Sequence, residues 1–170
     1  MIPIKNNKKT LELTVEEMRN FAFNYIEKFA PSKQQLKTYL LKKYLKNKIP
    51  SVKKSNINDL IDIVIEDLEK SKFINDKFYS ESKAKSLIQR GSSINKIRNY
   101  LFNKGVGEKY IKNTIEKIHS NNEDQDFFSA IKICKKKRIG PSRDEQNRPL
   151  FYKKDLGVLA RSGFDFEVSR

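Results

Sequence analysis

Phe73-Ile-Asn-Asp-Lys-Phe78, Ser82-Lys-Ala-Lys-Ser-Leu-Ile-Gln-Arg-Gly91 and Ser93-Ile-Asn-Lys-Ile-Arg-Asn-Tyr-Leu-Phe-Asn-Lys-Gly105 follow one another in a stretch that runs on to Ile118. A polar segment closes at Gln89-Arg90-Gly91, a second segment closes at Lys104-Gly105, and an amphipathic run spans Val106 to Ile118. Glycine just past a periodic segment ends a helix in the left-handed conformation, and serine just before one caps its first turn. The stretch therefore predicts three short helices closed by caps and glycines, and the same unit recurs in looser form on either side.

Toward the N-terminus, Thr14 with Glu17 has the spacing of a capping box. Val15, Met18, Ala22, Tyr25, Ile26 and Phe29 then form one apolar stripe that ends at Ala30-Pro31. Ser32 with Gln35 is a second capping box, opening a helix through Leu36, Tyr39, Leu40 and Tyr44. Residues 45–56 break the period at Pro50 and read as a basic loop. Asn56 then caps a third helix striped by Ile57, Leu60, Ile61, Val64 and Leu68. Residues 1–13 carry no period and read as a flexible leader.

Register ties these segments to the central stretch. Ser32 and Ser93 lie 61 residues apart, as do Leu40 and Leu101, while Leu159 and Gly163 lie 58 residues beyond Leu101 and Gly105. In the C-terminal part Asp126 opens a helix through Phe127, Ala130, Ile131 and Cys134 that ends at Arg138-Ile139-Gly140. A charged loop runs from Pro141 to Arg148, a helix follows to Gly163, and Asp165 starts a last helix cut short at Arg170. The expectation is an all-α chain of three tandem three-helix repeats, at 14–72, 73–121 and 122–170.

Composition agrees with small modules. The 170 residues carry 28 Lys, 8 Arg and a net charge of +15, and mean hydropathy is −0.73. A single thick core is a poor fit to such polarity. No run of eighteen apolar residues is present, and the N-terminus lacks the apolar core of a signal peptide. One cysteine permits no internal disulfide and suits a reducing compartment, so the cytoplasm is the expected location; the chain is expected to be a monomer. The positive balance suits an anionic partner. The abundance of Lys, Asn and Ile is also what an AT-rich genome produces, so the placement of charge matters more than its sum.

No catalytic constellation can be assembled. His119, the only histidine, stands in the last turn of a helix, where the dipole favours it. Cys134 shares the stripe of Phe127 and Ile131 and reads as a small core residue. One Cys and one His do not make a zinc site, and no phosphate-binding glycine motif occurs. Glu66, Asp67 and Glu69 read as a solvated face. The chain is expected to be no enzyme and to need no cofactor or metal.

The basic residues carry more information. Between Ser129 and Arg161 stand Lys132, Lys135, Lys136, Lys137, Arg138, Arg143, Arg148, Lys153, Lys154 and Arg161, opposed only by Asp144, Glu145 and Asp155. Lys132, Lys135 and Lys136 are spaced to share a helix face that meets phosphates or an acidic groove. A sparser set, Lys83, Lys85, Arg90, Lys96, Arg98 and Lys104, lies in the central unit. A solvated lysine-rich face is the plain alternative. Tyr25, Tyr39, Tyr100 and Tyr110 fall on or beside apolar stripes and read as packing residues.

Three motifs together resemble the RecX family of regulators of the RecA recombinase. Phe73-Ile-Asn-Asp-Lys-Phe78 is similar to the junction between the family's first and second units. Ser82 to Gly91, followed by Ile97-Arg98, Leu101 and Lys104-Gly105-Val106, resembles its central unit. Lys136-Lys-Arg-Ile-Gly-Pro141 and Lys154-Asp-Leu-x-x-Leu-Ala-Arg-x-Gly-Phe164 resemble its third unit as alphaproteobacterial members have it. The pattern departs at Gly91-Ser-Ser-Ile94, where many relatives carry Gly-x-Gly-Pro. The resemblance implies an elongated, curved array that lies in the groove of the RecA–DNA filament and limits its growth or activity, reaching single-stranded DNA through the filament. The basic residues of the second and third units would make the contact. The rival expectation is a stand-alone DNA-binding module of helix-turn-helix type, with Asn95, Asn99 and Asn103 as its nearest base-reading candidates.

Overall fold

Thr14 accepts a hydrogen bond from the Glu17 N–H at 3.2 Å, and the chain enters its first helix there. The computed structural model describes residues 13–46 and 54–170; the expected leader, apart from Leu13, and the centre of the expected basic loop lie outside them. Nine α-helices and two 3-10 turns, with no strand, make up the secondary structure of the described residues. The fold class is all-α, and the chain divides into two compact units, Met1–Asn75 and Asp76–Arg170.

The first unit holds α1 (Val15–Phe29), α2 (Lys33–Lys46) and α3 (Lys54–Lys70). The second capping box is reciprocal: Gln35 N–H donates to Ser32 Oγ at 3.2 Å, and Ser32 N–H donates to Gln35 Oε1 at 3.1 Å. Met18, Ala22, Leu36, Leu40, Tyr44, Ile61, Val64 and Leu68 close into one core, joined by Ile65. Three details differ from the sequence reading. Phe29 is exposed, because its helix ends beside Ala30 in the left-handed conformation and the ring lies beyond the core. Helix α2 runs through Leu45 to Lys46, taking the first residues of the expected loop. Helix α3 begins at Lys54, so Asn56 stands within its first turn and not at its cap.

The second unit holds α4 (Asp76–Gln89), α5 (Ile94–Asn103), α6 (Glu108–Asn121), α7 (Gln125–Lys137), α8 (Arg148–Arg161) and α9 (Phe166–Ser169). Ile97, Leu101, Val106, Ile111 and Ile115 fill the core of α4–α6. A smaller cluster of Ala130, Cys134, Ile139, Leu159 and Phe164 serves α7–α9. Gly91 and Gly105 take φ of 80° and 70°, and the following N–H groups of Ser92 and Val106 return to Leu87 and Leu101 carbonyls. The glycine-terminated helices read from the sequence are present at both places.

The two clusters are joined at the start of α5. Ser93 Oγ accepts from Lys96 N–H at 3.2 Å and donates to the Ser162 carbonyl at 2.9 Å. Ile94 N–H donates to Asp126 Oδ1 at 2.7 Å, and Asn95 Nδ2 donates to the Gly163 carbonyl at 3.4 Å. Asp126 was expected to open its own helix; α7 starts one residue earlier, and the carboxylate caps α5 instead. Gly163 has φ of 89°, and a Cβ there would stand 2.6 Å from Ser93 Oγ. Gly163→Ala therefore strains the backbone and pushes on the joint at once. It is expected to cost about 1–3 kcal/mol, measured as a lower urea midpoint by circular dichroism.

Candidate interaction surface

Most cations predicted from the sequence stand in solvent. Lys85 and Arg90 at the end of α4, Lys96 and Arg98 on α5, Lys132, Lys135 and Lys136 on α7, Arg138 just after it, and Lys153 on α8 are exposed. No ion pair among the described residues uses any of them. Lys83 and Lys104 are half-buried, their ammonium groups 5.5 and 5.4 Å from the ring centres of Tyr79 and Tyr100. Arg161 is exposed, and its guanidinium lies along α8 beside Gly157.

Backbone packing gathers some of these groups. A Cβ on Gly91 would stand 3.1 Å from the Ser129 carbonyl and 3.2 Å from Lys132 Cβ. The end of α4 thus abuts α7 at the turn that carries Lys132, and the exposed Arg90 immediately precedes that contact in the chain. Gly163 meets the Lys96 backbone in the same way, so Lys96 borders the loop after α8. Lys132 and Lys136 are one helical turn apart on α7.

Two of the predicted contact residues are engaged inside the protein. Arg143 places Nε 3.0 Å from Asp155 Oδ2 and Nη2 2.8 Å from Oδ1, and its guanidinium covers the Phe151 ring at 4.3 Å. Arg148 donates to the Arg143 carbonyl and to the Pro141 carbonyl, both at 3.1 Å. These bonds hold the two 3-10 turns, Gly140–Ser142 and Glu145–Asn147, against α8. Asp155 is 5% exposed and also accepts from Gly140 N–H at 2.9 Å. The Arg143 hydrogen bonds hold its carboxyl below the usual carboxylate range, against the opposing effect of burial.

The sequence reading missed the exposed aromatic and aliphatic residues. Phe102, Phe127, Phe128, Leu150 and Phe166 are all exposed in the second unit. Phe127 was placed on the buried stripe with Cys134, but the core side of α7 is taken by Ala130 and Cys134. The signal was in the spacing: Phe128 precedes Lys132 and Lys135 by four and seven residues, which puts it on their face.

The remaining candidates behave as small structural groups. Cys134 is buried, and burial pushes its thiol above the ordinary value. His119 is exposed in the last turn of α6. Asp67 and Glu69 pair across the first unit with Arg19 and Lys33, and Glu66 pairs with Lys70 along α3. No cluster of potential metal ligands is present among the described residues, and no described helix is long and apolar enough to cross a membrane.

The chain is 29% identical over 171 residues to the Regulatory protein RecX of Myxococcus xanthus, covering 96% of this chain and 87% of the relative. It is 28% identical over 131 residues to the Regulatory protein RecX of Clostridium perfringens, covering 77% of this chain and 59% of the relative. It is 26% identical over 151 residues to the Regulatory protein RecX of Streptococcus uberis, covering 88% and 52% respectively. The chain thus spans little more than half the length of the latter two. No family model matches the chain, and no solved structure does. The likeness to the RecX family read from the motifs is therefore shown.

The Asp155 bonds generate a pH-dependent expectation. A carboxyl with a depressed folded-state pKa contributes stability above its unfolded value of about 3.9 and loses it as pH falls through the folded value. Asp155→Asn should therefore lower the urea midpoint by a constant amount from neutral pH down to about pH 5. The gap to the parent protein should shrink below about pH 4, as followed by urea titrations across the acid range.

Proposed function

We propose that this chain is a non-enzymatic regulator of the RecA recombinase that binds the groove of the RecA–DNA filament and limits its growth and activity. The observation that carries the reading is the set of exposed cations, engaged in no ion pair among the described residues, that two groups of helices bring to one compact unit: Arg90, Lys132, Lys135, Lys136 and Arg138. A filament loaded with DNA presents phosphates and acidic grooves, and such a surface suits both. The likeness to proteins named Regulatory protein RecX supports the same partner. In this reading residues 14–72, 73–121 and 122–170 act as tandem three-helix modules of a cytoplasmic monomer, and the second and third make most of the contact in DNA recombination, repair and the SOS response.

A stand-alone helix-turn-helix reader is less well supported. Such readers present the N-terminal residues of the second helix to base edges. Here the N-terminal residues of α5 are held by Asp126, Ser162 and Gly163. Asn95, the nearest base-reading candidate, spends its amide on that joint.

The test is ATP hydrolysis and strand exchange by RecA on single-stranded DNA, with the protein added at near-stoichiometric amounts. Both activities should fall, and the combined Lys135→Glu, Lys136→Glu and Arg138→Glu variant should need about tenfold more protein for the same inhibition. Unchanged RecA activities across the titration would overturn the reading.

A further inference from the structure

The outer face of α7 combines an uncovered aromatic ring with a row of cations. At about 3.6 residues per turn, Phe128, Lys132, Lys135 and Lys136 fall on the side of α7 opposite Ala130 and Cys134. Phe128 is 49% exposed, and Phe127 beside it is 52% exposed. The two rings meet edge to face with centroids 5.9 Å apart, an arrangement that orients both while each stays about half exposed. Asp126, the only acidic residue of α7, is turned away to cap α5. Gly91 brings Arg90 to the Lys132 turn from a different helix. The nearest carboxylates in sequence, Glu123 and Asp124, precede the first turn and bound the surface at its Phe128 end.

We propose that this face is a binding site for single-stranded nucleic acid, with an unpaired base stacked on Phe128 and the backbone phosphates on Lys132, Lys136 and Arg90. The proposal deepens the regulator reading by naming the chemistry that its basic surface takes. An aromatic ring beside lysines is how proteins hold single strands without reading sequence: every base offers a π-face, and the cations follow the backbone. A duplex fits less well, because its bases are already stacked and offer Phe128 no face. An acidic protein surface would satisfy the lysines but has no use for an open ring flanked by ammonium groups.

The chain contains no tryptophan, so Phe128→Trp places a single indole at the proposed stacking position. Its fluorescence should be quenched on titration with oligo-dT and should hold steady with poly-glutamate. In fluorescence anisotropy with labelled oligo-dT, Phe128→Ala and Phe128→Leu should weaken binding by roughly tenfold, while Phe128→Tyr should keep it. Lys132→Gln with Lys136→Gln should reduce the slope of log affinity against log salt by about 1.4. An exposed position tolerates each of these changes, and circular dichroism checks that every variant is folded. The proposal is overturned if oligo-dT does not bind, if Phe128→Ala binds it as tightly as the parent, or if poly-glutamate quenches the indole equally, which would assign the face to an acidic protein. RecA inhibition measured in parallel keeps the two readings apart. Inhibition without oligo-dT binding leaves the regulator reading standing and removes this one. Stacking on Phe128 without any effect on RecA does the reverse.

Discussion

The hydrogen bond from Ile94 N–H to the Asp126 carboxylate is the contact on which the second unit depends. Helix α5 has ten residues, too few to be stable alone in water. Its first N–H groups need partners, and the side chain of its own cap, Ser93, accepts only from Lys96. The carboxylate that completes the end comes from α7, in the next group of helices. Burial pushes the Asp126 carboxyl above its ordinary value, against the opposing pull of the Ile94 N–H. Ser93 then donates its hydroxyl proton to Ser162 beyond α8. The middle helix is therefore finished by residues 32 and 69 positions further along the chain, and α4 to α9 form one compact unit.

That joint bears on the proposed contact surface. It sets Arg90 and Lys96 of one helical group in a fixed relation to Lys132 and the Arg161 region of the other. Cations on separate modules joined by a loose linker would have to be ordered on binding, with a loss of conformational entropy. The third group meets its own difficulty by ionic means. Its apolar cluster is the smallest of the three, and the bonds of Asp155 to Arg143 and Gly140 hold its 3-10 turns in place. Arg143, one of the residues proposed for contact, is thus also a residue that holds the fold.

Local rules were legible without the structure. The Thr14 cap, the reciprocal capping box of Ser32 and Gln35, the glycine-ended helices at Gly91 and Gly105, and most of the stripes of α1 and α3 follow from spacing alone, because each depends on residues within a few turns of one another. The misses share one cause. Asp126 was read as a cap for its own helix, Arg143 as free charge and Phe127 as core, and in each case the deciding neighbour lies elsewhere in the chain or on the opposite face of the helix. For Asp126 and Arg143 that neighbour is Ile94 and Asp155; for Phe127 it is the core already filled by Ala130 and Cys134. The candidate surface was half legible: the lysines announced a basic face, while Phe128 among them carried no signal in the apolar stripe read from the sequence.

The most direct measurement of the central claim is lysine footprinting by amine acetylation and mass spectrometry, with and without RecA assembled on single-stranded DNA. Lys132, Lys135 and Lys136 are exposed and engaged in no ion pair among the described residues, so they should label readily in the free protein. The account predicts that the filament protects these three, together with Lys96, while Lys28 and Lys42 of the first unit change little. Equal labelling of every lysine in the two states would contradict it.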